Sequence, residues 1–160
     1  MVSDVFTKEK RSDVMSRIRG SGNKDTELAL IRIFRENHIV GWRRHQPIFG
    51  KPDFVFPKLR IAVFVDGCFW HGCPQHATKP KNNADFWERK LSANRARDRL
   101  VNRRLRSNGW GVLRIWEHEL GAKQAARLVT RIRRWVKQQE VRMSLGQQRP
   151  RPHVDRGGIG

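Results

Sequence analysis

The chain has 160 residues, which suffices for one domain with a full hydrophobic core and is too short for two ordinary domains. It carries 34 Lys and Arg against 15 Asp and Glu, a formal charge of +19, which predicts a polyanionic partner. The sequence has no apolar run of the roughly 18 residues needed to span a bilayer, and the basic helices lack a clean apolar face for lipid, so nucleic acid is the expected partner.

Cys68 and Cys73 are the only two cysteines in the sequence, and the loop between them is too short for an unstrained structural disulfide. The N-terminal residues lack the apolar segment of a signal peptide. We therefore expect a cytoplasmic, nucleoid-associated protein with no membrane contact, in whose reducing surroundings the cysteines bind a metal.

The N-terminal part of the chain, residues 7–20, predicts a short basic helix in which Met15 and Ile18 are the only strong apolar residues. Gly20 and Gly22 form a flexible joint after it. Residues 1–22 are therefore predicted to be a basic arm that docks or becomes ordered on the partner.

A second helix is predicted from about residue 25 to residue 37, because Leu30, Ile31 and Phe34 recur on one face at helical spacing. Glu27 shares this apolar face. It is either a partly exposed carboxylate at the edge of the face or part of a functional site, and the sequence favours neither interpretation.

Three strand-like segments follow at residues 40–46, 52–56 and 60–65, and the third is a dense apolar run typical of a central strand. Asp53 lies inside the second segment, where aspartate is unfavourable. It is either a turn residue at the start of the strand or a metal ligand at the mouth of the sheet.

A long helix is predicted over residues 84–107, and its inner stripe at helical spacing consists of Trp87, Leu91, Asn94, Asp98, Val101 and Leu105. Asp98 is the only charge on this stripe, so it needs a specific partner. A surface ion pair with a nearby arginine is the alternative. The stripe favours His71 instead, since a carboxylate fixes the tautomer of an imidazole and raises its basicity.

A fourth strand at residues 110–116 and a last helix over residues 122–142 complete the predicted elements. Their order, α-α-β-β-β-α-β-α, predicts a mixed sheet with helices on both faces. The Gly-, Pro- and Arg-rich segment 144–160 is predicted to be a disordered tail, which leaves residues 23–143 as the folded domain.

Two sets of side chains have the chemistry of metal ligands. Glu27, Asp53 and Asp98 come from three separate elements and would together suit a hard cation such as Mg²⁺. A thiolate and imidazole set suits zinc, and its members are Cys68, Cys73, His76 and, at the end of the fourth strand, His118. Two buried cysteines with two exposed histidines are the alternative interpretation of this second set.

Phe69, Trp70 and Trp87 are either core aromatics or side chains that stack on bases. Phe69 and Trp70 are adjacent, and on an extended segment they would point in opposite directions. We therefore expect at least one of them to face the nucleic acid.

Several motifs of rare residue types occur together: Pro52-Asp53, Asp66-Gly-Cys-Phe-Trp-His-Gly-Cys-Pro, Phe86-Trp87-x-x-Lys90, Asn94, Arg97-Asp98 and Gly109-Trp110-x-Val112-Leu113-x-Ile115-Trp116-Glu117. Over residues 9–120 the chain resembles the very-short-patch repair (Vsr) mismatch endonucleases. The resemblance implies an α/β fold of the restriction-endonuclease-like (PD-(D/E)XK) type, in which helices flank a mixed central sheet and a structural zinc site is present.

The resemblance also implies an activity, that of a Mg²⁺-dependent nickase acting on double-stranded DNA at T:G mismatches, which arise when 5-methylcytosine deaminates. The enzyme would cut the strand with the mispaired thymine on its 5′ side and so initiate very-short-patch repair. A magnesium-bound water polarised by His71, paired with Asp98, would attack the phosphorus. We expect a monomer, with other mismatch-repair proteins as candidate partners.

By position, the resemblance assigns roles to individual residues. Asp53 and the main-chain carbonyl of Val65 would hold the catalytic Mg²⁺. His71 would be the catalytic histidine, with Asp98 as its partner, and Glu27 would lie in the outer shell of the metal. The structural Zn²⁺ would be held by Cys68, Cys73, His76 and His118. DNA contacts are assigned to Met15, Phe69, Trp70, Trp87, Arg95 and Arg97.

Two positions depart from the family pattern. Asp66 stands where the best-known members carry a histidine and other nucleases of this fold a lysine. An arginine or the metal must then supply positive charge to the scissile phosphate, unless Asp66 joins the metal site as a further catalytic carboxylate. His118 stands where a cysteine is sometimes used, and zinc accepts either ligand. A catalytically inactive, zinc-stabilised DNA-binding domain and a restriction or defence nuclease of the same fold are the alternatives.

Overall fold

The computed structural model describes residues 24–76 and 81–146, so the predicted N-terminal arm with Met15 and the tail beyond residue 146 lie outside the described residues. The elements within those ranges are α1 (Lys24–Glu36), β1 (Arg43–Arg44), β2 (Phe54–Phe56), β3 (Ile61–Asp66), α2 (Ala84–Ser107), β4 (Gly111–Trp116) and α3 (Ala122–Gly146). Short 3₁₀ turns follow β2 at Pro57–Leu59 and β4 at Glu117–Leu120. None of the helices in these ranges combines the length and apolar character needed to cross a membrane.

The helices lie close to their predicted positions, whereas the first two strands are shorter than predicted. β1 has only two residues because Gly41 and His45, on either side of it, have positive φ angles of 87° and 49°. β2 begins at Phe54, so the prediction that Asp53 lies inside the strand is wrong. Pro52 has no N–H to donate to a neighbouring strand, so the hydrogen-bonded pairing of β2 begins after it. α3 runs to Gly146, past its predicted end at residue 142 and into the segment predicted to be the tail.

The four strands in the described ranges form one mixed sheet in the order β1-β2-β3-β4, with β3 and β4 parallel and the other pairs antiparallel. Every residue of β3 is buried, because successive side chains point to opposite faces and both faces are covered. α1 and α3 cover the face with Ile61, Val63 and Val65. α2 covers the face with Ala62 and Phe64. This is the predicted mixed sheet with helices on both faces.

The parallel pairing of β3 with β4 determines where polar side chains meet. Asp66 and Trp116 are paired at the carboxyl ends of their strands. The chain leaves β3 into the turns of residues 68–76 and leaves β4 into the 3₁₀ turn at Glu117–Leu120. Segments far apart in the sequence therefore meet at one edge of the sheet.

Gly111 at the start of β4 allows α3 to approach the sheet. A Cβ atom at this position would lie 2.5 Å from Cζ3 of Trp135 and 2.8 Å from Nε2 of the buried Gln139. We expect Gly111→Ala to lower the free energy of unfolding by about 1–3 kcal/mol, the usual cost of overpacking. Urea denaturation followed by circular dichroism measures it. Gly146→Ala is the matched control, since among the described residues no heavy atom beyond its chain neighbours and its own helix backbone lies within 4 Å of the added methyl. Equal midpoints for the two variants would contradict this packing.

Candidate active site and metal centre

An open cavity of about 340 Å³ lies at the carboxyl end of β3, between the sheet and α2. Three of the candidate catalytic carboxylates and the candidate catalytic histidine line it together. The lining residues are Gly50, Lys51, Asp53, Phe64, Val65, Asp66, Trp70, His71, Lys90, Asn94, Arg97, Asp98, Val101 and Arg114. The cavity therefore combines acidic and basic groups in one open site.

His71 and Asp98 are in contact, as the helical stripe predicts. Nδ1 of His71 lies 2.6 Å from Oδ2 of Asp98, and Asn94 anchors the loop to α2 by donating to the carbonyl of Trp70 at 3.2 Å. Burial by itself raises the pKa of Asp98, but the hydrogen bond and charge of His71, together with Arg114, bring that pKa below its usual value. Asp98 is thus held as a carboxylate that orients the imidazole.

Arg114 is a cavity residue that the sequence-based predictions missed. Its Nη1 donates to both oxygens of Asp66, at 2.7 and 2.9 Å, and its Nη2 lies 3.1 Å from Oδ1 of Asp98. The charge of Arg114 lowers the pKa of Asp66, but burial outweighs it and the pKa is raised. The sequence did contain a signal that could have identified Arg114. It is the single charge within the apolar run of residues 110–116, the same kind of signal that pointed to Asp98.

Asp53 is a buried carboxylate at the floor of the cavity. Its Oδ2 accepts a hydrogen bond from the N–H of Val65 at 2.8 Å, and the side chain is 7% exposed. Burial, with the nearby charges of Glu27 and Asp66, raises its pKa to about 6 against the lowering effect of the Val65 hydrogen bond. A desolvated carboxylate gains strongly from a neighbouring cation, and an oxygen donor suits Mg²⁺, so the residue fits a role as a metal ligand.

Glu27 is buried but is not among the residues that line the cavity. It forms an ion pair with Arg44, and Nε2 of His45 lies 3.4 Å from its Oε2. Asp98 is likewise engaged, by His71 and Arg114. Asp53 and Asp98 therefore line the cavity without Glu27, although the charge of Glu27 still acts on Asp53.

A second cluster could hold a metal ion. One donor atom from each of its members lies within 4.8 Å of all the others, and the members are Cys68, Cys73, His76 and His118. Sγ of Cys68 lies 3.2 Å from Nδ1 of His118, and neither cysteine is in a disulfide. Burial raises the pKa of the Cys68 thiol, and the adjacent Cys73 adds to that increase. Thiols crowded together with imidazoles are the donor set of a tetrahedral site.

Phe69, Trp70 and Trp87 form one aromatic cluster beside the cavity. Their ring centroids are 5.2 to 5.8 Å apart. The segment after β3 turns instead of extending, so the expectation that Phe69 and Trp70 point in opposite directions is wrong. Trp70 is 8% exposed, and its buried Nε1 has no hydrogen-bond partner in the part of the chain that the structure describes.

The two arginines assigned to DNA contact differ in their surroundings. Arg97 lines the cavity, whereas Arg95 forms an ion pair with Glu88 at 3.2 Å. Lys90, which was not assigned, lies over the rings of Trp70 and Phe86 at 5.6 and 5.7 Å. Positive charge and aromatic surface are therefore adjacent at the rim of the cavity.

Comparison with known proteins connects this chain to one family. The family model described as DNA mismatch endonuclease Vsr matches residues 3–77. The type II nicking enzyme V.NmeDIP of Neisseria meningitidis serogroup C is 40% identical over 73% of this chain and 80% of its own length. The DNA mismatch endonuclease Vsr of Escherichia coli K12 is 31% identical over 84% of this chain and 88% of its own length.

A shorter match is more similar still. The type II nicking enzyme V.NaeI of Lentzea aerocolonigenes is 55% identical over 69 residues, which is 43% of this chain and 42% of that relative. The two longer matches span most of this chain and most of each relative. The family model covers the segment that carries Asp53 and His71. The chain belongs to the Vsr family of DNA mismatch endonucleases.

Proposed function

We propose that this protein is a Mg²⁺-dependent nickase with a restriction-endonuclease-like catalytic domain, which cuts 5′ of the mispaired thymine at T:G mismatches in double-stranded DNA. The observation that carries the proposal is the convergence of Asp53, His71 and Asp98 on one open cavity. The enzyme acts as a monomer at the first step of very-short-patch repair, with other mismatch-repair proteins as candidate partners.

His71 serves as the general base. Its Nδ1 is engaged by Asp98, so Nε2 is the atom that takes the proton of the attacking water. Asp98 holds the imidazole in that tautomer and stabilises the positive charge that forms on it, as a carboxylate does for a catalytic histidine. The turn after β3 and the inner face of α2 keep the two side chains at hydrogen-bonding distance.

Asp53 and the main-chain carbonyl of Val65 would hold the magnesium ion. Bound there, Mg²⁺ supplies Lewis-acid stabilisation of the charge that develops on the scissile phosphate. Both residues line the cavity, and the Val65 N–H fixes the orientation of the Asp53 carboxylate. Burial of that carboxylate makes a cation the favoured partner for its charged form.

The aromatic cluster reads the mismatch. Phe69 and Trp87 are partly exposed and lie beside the cavity with Trp70, at a site where Lys90 and Arg97 supply positive charge for phosphates. Aromatic wedges cost a few kcal/mol of base unstacking, and that cost is smallest where pairing is already weak.

The decisive experiment uses end-labelled duplexes that differ only in a T:G pair or a matched C:G pair, incubated with the protein and Mg²⁺. We expect a single nick 5′ of the thymine in the T:G duplex and intact C:G duplex. Equal cleavage of both would favour a restriction or defence nuclease. Mismatch binding without any nick would instead identify an inactive DNA-binding domain, and either result would overturn the proposal.

The second cluster is proposed to bind one structural Zn²⁺ through its two thiolates and two imidazoles. We expect His118→Asn to lose the zinc and to lower the unfolding free energy by about 2–3 kcal/mol, or roughly 5–10 °C in Tm for a chain of this size. Elemental analysis and thermal melting measure both effects. His38→Asn is the control, because His38 is an exposed histidine outside the cluster. Full zinc content in His118→Asn would exclude His118 as a ligand.

A further inference from the structure

We propose that Arg114 is a positioning residue of the nicking reaction, which holds Asp98 against His71 by bridging Asp98 to Asp66. The proposal rests on the proposed function. It gives a role to the buried carboxylate of Asp66 and to the one charged side chain within β4.

The register of the sheet directs Arg114 into the cavity. Arg114 on β4 is paired with Phe64 on β3, and Asp66 lies two residues further along β3 on the same face. The guanidinium stacks on the Phe64 ring, with Cζ 4.6 Å from the ring centroid. Its Nε donates to Oδ1 of Asn102 at 3.0 Å, which ties the group to α2 as well.

The bridge determines how the Asp98 carboxylate is oriented. Asp98 uses Oδ2 for His71 and Oδ1 for Arg114, so rotation of the carboxylate would break both contacts. Arg114 is itself held by both oxygens of Asp66, which is 3% exposed. A planar guanidinium can bind two carboxylates at once with fixed angles.

The same bridge decides which carboxylate His71 uses. Nδ1 of His71 lies 3.8 Å from Oδ1 of Asp66, beyond hydrogen-bonding distance, and 2.6 Å from Oδ2 of Asp98. Two carboxylates near one imidazole would compete for it. Arg114 engages both oxygens of Asp66, and Asp98 is left as the partner of His71.

Arg114→Lys separates the bridging role from simple charge. Lysine keeps the positive charge, but its ammonium group cannot reproduce the planar fork that joins two carboxylates. We expect kcat for the T:G duplex to fall about tenfold or more, with KM changed by less than about twofold, because the effect passes through Asp98. Arg106→Lys, at an exposed position in the last turn of α2, is the control and is expected to leave both constants unchanged.

A double-mutant cycle tests whether Arg114 acts through Asp98. In the Asp98→Asn background, Arg114→Lys is expected to reduce kcat by less than about twofold further, since residues that act as a unit are not additive. If Arg114→Lys reduced kcat by its full factor in the Asp98→Asn background as well, the proposal would be overturned. A raised KM with unchanged kcat would also overturn it, because that result would make Arg114 a DNA-contacting residue.

A second variant separates a loss of activity from a failure to fold. If Arg114→Lys does not fold because Asp66 is left buried without its partner, the pair Asp66→Asn/Arg114→Gln removes both charges together. We expect this folded double variant to show the same loss of kcat. Wild-type kcat in it would contradict the proposal.

A readout without catalysis distinguishes this inference from the proposed function. The Nδ1–H proton of His71, hydrogen-bonded to Asp98, should give a downfield proton NMR signal in the wild type that weakens in Arg114→Lys and is lost in Asp98→Asn. A wild-type protein that nicks no duplex refutes the proposed function, and the signal then tests the bridge alone. An unchanged signal in folded Arg114→Lys overturns the positioning role.

Discussion

Asp53→Asn is expected to reduce nicking of a T:G duplex by at least about a thousandfold, equivalent to about 4 kcal/mol of transition-state stabilisation. The amide has nearly the same shape as the carboxylate but cannot hold a divalent cation as strongly, so Mg²⁺ would no longer be retained beside the scissile phosphate. Single-turnover nicking measures the loss. DNA affinity, from a gel-shift or anisotropy titration, and zinc content are expected to stay at wild-type values.

The same substitution is expected to stabilise the fold in Mg²⁺-free buffer. Asp53 has a pKa of about 6 in the folded protein against 3.8 for an ordinary aspartate, so the folded state retains a proton that the unfolded chain releases. Stability from this group is therefore lost as the pH rises from 3.8 towards 6, and the neutral amide avoids that loss. At neutral pH the gain is about 1–3 kcal/mol, measured by urea denaturation.

The two effects together separate a functional carboxylate from a structural one. Asp85→Asn, which makes the same chemical change at an exposed position of α2, is the control and is expected to alter neither nicking nor stability. Wild-type nicking by Asp53→Asn would refute the metal-ligand role. A large drop in its stability would instead identify Asp53 as a structural residue.

His71→Ala is expected to lower kcat by about a hundredfold or more, the usual contribution of a general base. Asp98→Asn is expected to have an effect of about the same size, because the amide no longer fixes the tautomer that leaves Nε2 ready to accept a proton. The double variant should be no slower than His71→Ala, since the two residues act as one unit. Single-turnover rates at saturating T:G duplex measure all three.

A control for the Asp98 substitution is available on the same helix. Asp85→Asn again matches the chemical change on the same helix as Asp98. Mismatch affinity should be unchanged in both site variants. Wild-type kcat in Asp98→Asn would mean that the 2.6 Å contact has no part in the reaction.

Several features of the site were predictable because they depend on local patterns. The helical stripe of α2 placed Asp98 inward, since the period of an α-helix decides which residues share a face. The thiolates and imidazoles were recognisable as a ligand set because few other groups bind metals in that combination. The position of His118 followed from strand ends that meet at one edge of the sheet.

Other features were not predictable because they depend on where the chain turns. Asp53 was assigned to a strand that in fact starts at the next residue, Phe54. Phe69 and Trp70 were expected on opposite sides, and the turn after β3 brings their rings together at 5.2 Å. The pairing of Glu27 with Arg44 depends on the short β1, whose bounds the local sequence pattern did not predict.

The amino-acid sequence alone predicted the chemistry of this protein: a basic chain suited to nucleic acid, a Cys/His cluster that could hold a metal, a histidine with an inward aspartate, and membership of a recognisable family. The distribution of the carboxylates among their partners depends instead on the three-dimensional fold. Arg114 and Asp66 are 48 residues apart in the chain and meet because β3 and β4 pair in parallel at one register. Strand register is a long-range property, and the pairing of buried charges follows from it.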